Sequence, residues 1–89
     1  MLSSQQKRHL KAQAHSKKPV AIVGAKGLTQ SVLDEIDAAI AHHELIKIRI
    51  NADDRESRNQ MIEAICAALG AELVQRIGHV AVFFRRRQD

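Results

Sequence analysis

The sequence predicts a mixed α/β (α+β) fold of order α-β-α-β-α-β-β, with helices packed on a mixed four-stranded sheet. Three observations carry that expectation. Val20–Val23 and Leu45–Ile50 have strand character, one as an unbroken apolar run and one as a clean alternation. Two stretches between strand candidates place their apolar residues at helical spacing. Near the end, Leu73–Ile77 and Val80–Phe84 flank Gly78-His79, the pattern of a hairpin.

The elements follow in order. From about Ser4 to His15 the chain lacks Gly and Pro and is rich in Gln, Lys, Arg and Ala, which reads as a short basic helix capped by Ser4. Its apolar contact is thin, through Leu10 and Ala14, and Lys17-Lys18-Pro19 ends it because a residue before proline avoids αR. After Val20–Val23, Thr29 opens a helix over 29–43. Val32, Leu33, Ile36, Ala39 and Ile40 share one face, and Asp34, Glu35 and Asp37 point away. In Leu45–Ile50, Ile46, Ile48 and Ile50 are expected to face the helices, leaving Lys47 and Arg49 on the other side. Asp53 with Glu56 three residues on suggests a capping box. Met61, Ile62, Ile65, Cys66 and Leu69 then form an apolar stripe that Gly70 terminates. Two βαβ crossovers imply parallel pairing wherever those strands share a sheet, and the hairpin adds an antiparallel pair.

Length and composition set bounds. Eighty-nine residues make one domain. A lone cysteine excludes an intrachain disulfide and any Cys-based zinc site, which fits a reducing compartment. No apolar run approaches the roughly 20 residues of a membrane span, and Met1–Gln6 lacks a signal-peptide core; a cytoplasmic location is the expectation. The net charge of +4 is unevenly spread. Residues 1–28 hold six Lys or Arg and no acid, residues 29–84 hold five basic and nine acidic side chains, and 85–89 return +2. Such polarity suggests a polyanionic partner.

Gly24-Ala25-Lys26-Gly27 lies between a strand and a helix start. Glycine has no Cβ to block close approach and tolerates φ > 0, and a helix start adds free N–H donors and partial positive charge. A lysine-bearing loop of this kind on a basic stretch points to phosphate. GxxG alone is a weak pattern; KH domains use one to clamp nucleotide backbone. It is neither a Walker A loop nor a dinucleotide GxGxxG, which argues against ATP and NAD. With no Trp or Tyr and only Phe83 and Phe84, base stacking on an aromatic sheet surface has little support, so phosphate and shape should dominate, with steep salt dependence. His42-His43-Glu44 reads as a helix C-terminus rather than a metal or acid–base site. Asp53, Asp54 and Glu56 read as a helix start, Cys66 as inert core, and neither Thr29 nor Ser31 has a partner that would make it a nucleophile. No catalytic constellation, metal site or cofactor is expected.

Several strings together carry a resemblance: Leu10-Lys11, His15–Val20, Gly24–Thr29, His43–Lys47, and Gly78 with Arg85. Over about residues 2–86 the chain resembles the CRM domain (chloroplast RNA splicing and ribosome maturation), in its stand-alone bacterial YhbY form. The resemblance implies one CRM-type RNA-binding domain over 1–89, with 85–89 a basic tail. It implies a fold similar to the C-terminal domain of translation initiation factor three. It also implies RNA binding without catalysis, and association with precursors of the large ribosomal subunit. By position, Gly24 and Gly27 match the loop glycines, and Ala25 and Lys26 its variable centre. Lys7, Arg8, Lys11, Lys17 and Lys18 match a basic flank, and Arg85 and Arg86 extend it if the tail lies near the loop. Many members have a polar or basic residue where Ala25 stands, which leaves Lys26 the loop's only charge; many have Tyr where Phe84 stands. Two alternatives stay open: a protein-interaction module docking a ribosomal protein through the acidic helix, and a duplex DNA-binding protein.

Overall fold

Each helix begins where a side chain can take up its free amides. In α1 (Ser4–Ala14) Ser3 is the N-cap: its hydroxyl accepts from Gln6 N at 3.1 Å, and the Gln6 side chain accepts from Ser3 N at 2.8 Å. The cap is thus one residue before the expected Ser4, because a cap at Ser4 would put Lys7, which cannot accept, at the reciprocal position. α2 (Gln30–His43) is capped by Thr29, whose hydroxyl accepts from Val32 N. α3 (Arg55–Leu69) is capped by Asp54, not Asp53, with a carboxylate oxygen 3.1 Å from Ser57 N. The Ser57 hydrogen bonds hold the Asp54 carboxyl below its ordinary pKa. Gly70 ends α3 in a left-handed conformation, φ 63°.

The chain is a computed structural model that describes residues 2–87. Four strands, β1 (Ala21–Val23), β2 (Leu45–Ile50), β3 (Glu72–Ile77) and β4 (Val80–Phe84), form one mixed sheet of order β1-β2-β4-β3. β1 runs parallel to β2, while β4 is antiparallel to both β2 and β3. The second crossover therefore joins parallel strands that are not neighbours, with the last strand inserted between them.

The strand period of two sorts the apolar residues onto both faces. Val23, Ile46, Ile48, Ile50, Ala81 and Phe83 pack with Ile36 and Ile40 of α2 and Ile62 and Ile65 of α3. On the opposite face Leu45, Val74 and Val82 are buried with Ala14, and Leu2, Leu10 and Phe84 pack partly against them. α1 thus covers the second face through the Leu10 and Ala14 contact expected of it. The two phenylalanines divide as strand neighbours must: Phe83 is fully buried under α2 and α3, and Phe84 is half-buried under α1. A register shift between Leu73 and Gln75 makes Val74 a bulge residue. It is buried on the α1 side, and Gln75 and Ile77 after it line that side too. Cys66 packs partly against the α2–α3 core, and burial pushes its thiol pKa up, the direction of an unreactive cysteine.

Candidate nucleic-acid interface

Parallel pairing of β1 and β2 brings the loops that follow them to one end of the sheet. Asn51 N donates to Val23 O at 2.9 Å, which ties the two loop starts together. The β3–β4 hairpin meets the same end: Ile50 N donates to His79 O at 2.6 Å, and His79 Nδ1 lies 3.2 Å from Ile50 O. The starts of α2 and α3 and the Gly24–Gly27 loop are therefore neighbours, none of which is adjacent to the hairpin in sequence.

Gly24–Gly27 is a tight turn in which Gly27 N donates to Gly24 O at 3.0 Å. Ala25 and Lys26 form its exposed tip. Gly27 has φ 74°, which an L side chain rarely adopts, and a Cβ there would come 3.8 Å from Met61 Cε of α3. Gly24 has ordinary backbone geometry and open space where a Cβ would stand. Two residues on, Thr29 starts α2, and the first helical backbone bond is Leu33 N to Thr29 O. The amides of Gln30 and Ser31 precede it and have no intrahelical partner. An exposed turn, a lysine and a helix start converge within eight residues, an arrangement that can receive a phosphate oxygen.

The other basic residues are distributed over the molecule. Lys17 and Lys18 are exposed in the segment entering β1. Val20 N donates to Lys47 O, so at strand rise the distance from Val20 to Gly24 is about 13 Å. Lys11 lies on the C-terminal half of α1 beside Lys47 and Pro19, lining an open cavity. Lys7 and Arg8 sit half a helix away, towards the end where Leu2 N meets the Glu72 carboxylate at 2.7 Å.

The sequence left open whether the tail lies near the loop, and the fold puts the two at opposite ends of the sheet. β4 is antiparallel to β2, so Arg85 leaves the sheet at the end where β2 begins, opposite the glycine turn. Its guanidinium pairs with Asp37 at 2.7 Å and donates to Leu69 O at 2.8 Å. Arg86 lines a cavity with Leu2, Gln6, His9 and Phe84 at that same end, and Arg87 N donates to the Glu44 carboxylate. Gln88 and Asp89 lie outside the described residues.

Two basic residues absent from the expected site lie closer. Arg49 is exposed, with Nε donating to Asn51 Oδ1 at 3.1 Å, and Lys47 is half-buried one turn of the pleat below it. The alternation of β2 placed both on the face away from Ile46, Ile48 and Ile50; that face carries α1, which covers only part of it. Arg58, also near this end, instead donates to Ala52 O and Asp53 O and braces the loop before α3. Among the described residues no three His, Cys, Asp or Glu side chains gather as a metal site would require, and no helix is long and apolar enough to cross a membrane.

A mixed sheet carrying two helices on one face and one on the other, with an open glycine turn at a helix start, defines a small α+β module suited to meeting an anion. A model of the CRS1/YhbY (CRM) domain matches residues 2–85, and the chain belongs to that family. It is 44% identical over 88 residues to a protein of Haemophilus influenzae named RNA-binding protein, covering 99% of this chain and 89% of that one. A "probable RNA-binding protein YqeI" of Bacillus subtilis is 32% identical over 89 residues, 100% of this chain and 93% of the relative. Among solved structures, the solution structure of a hypothetical protein from Staphylococcus aureus matches with a TM-score of 0.87 and 30% identity, over 100% of this chain and 93% of that one.

Proposed function

We propose that the protein is a non-enzymatic RNA-binding module whose target is ribosomal RNA in precursors of the large subunit, where it assists assembly. The observation that carries this is the exposed Gly24–Gly27 turn directly preceding the start of α2, in a chain whose family relatives are named for RNA binding. The turn and the first amides of α2 receive phosphate, and Lys26 supplies charge. Lys17, Lys18 and Lys11 extend the contact along the β1 side, while Lys7 and Arg8 continue it at lower density. Arg85 and Arg86, at the far end, belong to the footprint only if the RNA wraps the molecule.

The acidic face of α2 supports the protein-docking alternative less than its charge suggests. Asp37 is paired with Arg85, and Asp34 accepts from Gln30 at 2.8 Å. The decisive experiment replaces Ala25 and Lys26 together with Asp. Both are exposed at a turn tip, so the thermal melt should hardly change while affinity for structured ribosomal RNA falls at least tenfold. Unchanged affinity would refute the loop as the contact. Crosslinking in cells with sequencing of the attached RNA tests the target: reads concentrated in large-subunit precursor RNA are expected.

A further inference from the structure

The face of the sheet that carries α1 is only half covered. α1 seals the part holding Leu45, Val74 and Val82 and then stops. Beyond it the register leaves one row of side chains open across all four strands: Ile22 beside Arg49, Arg49 beside Val80, Val80 beside Ile77. Ile22 is 58% exposed and Ile77 64%, the two most exposed large hydrophobics among the described residues. Single exposed apolar residues need no explanation, but here Ile77 and the half-buried Val80 adjoin beside a cavity, and Arg49 alone separates them from Ile22, a mixed apolar and cationic row that marks a contact surface. The cavity between this row and the end of α1 has a volume of about 610 Å³ and includes Lys11, Lys47 and Gln75 in its wall, with no carboxylate. Ile22 lies outside the cavity, across Arg49 in the same row, and stands two residues before Gly24.

We infer that this groove holds an unpaired nucleotide of the bound RNA. The base lies on the aliphatic floor of Val80 and Ile77, Ile22 on the far edge strand carries the adjoining nucleotide, the flanking phosphates meet Lys47, Arg49 and Lys11, and the Gln75 amide faces the base edge. The inference rests on the RNA-binding reading above and adds that the RNA is interrupted beside the glycine turn. An intact duplex keeps its base faces stacked on one another and offers only edges, sugars and phosphates, none of which gains from an aliphatic floor. An unpaired base has a free face, and the cationic rim matches the charge of its backbone. A second copy fits less well, since a two-fold contact through this face would bring Lys11, Lys47 and Arg49 against the like charges of the partner.

The test uses two ribosomal RNA hairpins with one stem, fully paired in the first and carrying a bulge of unpaired nucleotides in the second. Binding is measured by fluorescence anisotropy for the full chain and for the double variant Ile22→Thr/Ile77→Thr. Both positions are exposed and threonine keeps strand preference, so the melt should be retained. The full chain is expected to prefer the bulged hairpin. The variant should lose about fivefold to tenfold on that RNA, somewhat less than loss of an aromatic stack, while keeping its affinity for the paired one. Equal binding of the two RNAs by the full chain, or equal loss on both by the variant, overturns the groove. Failure of the full chain to bind either hairpin overturns the RNA reading itself, which separates the two failures. Sedimentation decides the remaining occupant: a dimer that the variant dissociates replaces the nucleotide with a second copy.

Discussion

Gly24 and Gly27 differ in what they do, although both bracket the same turn. Gly27 is needed by the fold, because φ 74° is a left-handed conformation that opposes a Cβ. Gly24 has neither a positive φ nor a neighbour within reach of a Cβ, so the free protein does not require glycine there. A requirement at Gly24 must come from something that approaches the turn. Gly27→Ala is therefore expected to destabilise the fold by about 1 kcal/mol, a fall of roughly 4–8 °C in Tm for a domain this size. Gly24→Ala should leave the melt unchanged and weaken RNA binding by roughly tenfold, about 1.4 kcal/mol, as a methyl group displaces the phosphate. Calorimetry with binding on the same preparations checks both. A Gly24→Ala protein that melts early would place its role in the fold. The distinction could not be read from the sequence, where the two glycines are equivalent; it depends on which side of the turn takes up the chain reversal.

At the scale of elements, Arg85 acts as a clip between three of them. Directly after β4, its side chain reaches Asp37 of α2 and the last carbonyl of α3, while its own N–H donates to Glu44 O at 2.9 Å. Asp37 is half exposed, so the ion pair alone contributes little; the hydrogen bond to an otherwise open helix C-terminus adds to it. Arg85→Ala is expected to lower stability by about 1 kcal/mol and to leave RNA affinity within about twofold. Denaturant melts and anisotropy at a temperature where both forms are folded measure the two effects. A tenfold loss of affinity with an unchanged melt would instead bring the tail into the footprint. Element boundaries were largely legible in the sequence, and the two displaced caps show why the rest was not. Ser3 and Ser4, or Asp53 and Asp54, are chemically interchangeable; Gln6 selects Ser3 by closing a capping box, whereas Asp54 caps through Ser57 N although Glu56 favoured Asp53.

For the whole molecule, the arrangement of charge depends on topology more than on sequence position. The basic residues of the first third do not form one patch, because α1 crosses the sheet and carries Lys7 and Arg8 away from the turn that Lys26 occupies. The sequence implied a four-stranded mixed sheet but not its order, since a hairpin strand can add at an edge or insert beside an earlier strand with the same local pattern. That one choice puts Arg85 at the far end and His79 beside the loops. The apolar groove was hidden for a related reason: Val20–Val23 reads as one unbroken apolar run, yet Ile22 falls on the α1 side of an edge strand and is exposed there.

The strand order also fixes when the molecule can become folded during synthesis. β4 is the last strand of the described fold, yet it pairs with five residues of β2 and five of β3 and supplies Phe83 to the centre of the core. Until residues 80–84 emerge from the ribosome, β2 and β3 have no contact along those edges, and Ile46 and Ile48 lack the strand that shields them. A chain ended after Ile77 is expected to give no cooperative melt by circular dichroism and to be digested rapidly by protease; a retained transition would show that the β1–β2 half folds alone. Completion of the fold therefore waits for its final strand, and a copy that lacks β4 cannot present the surface that the finished domain offers a partner.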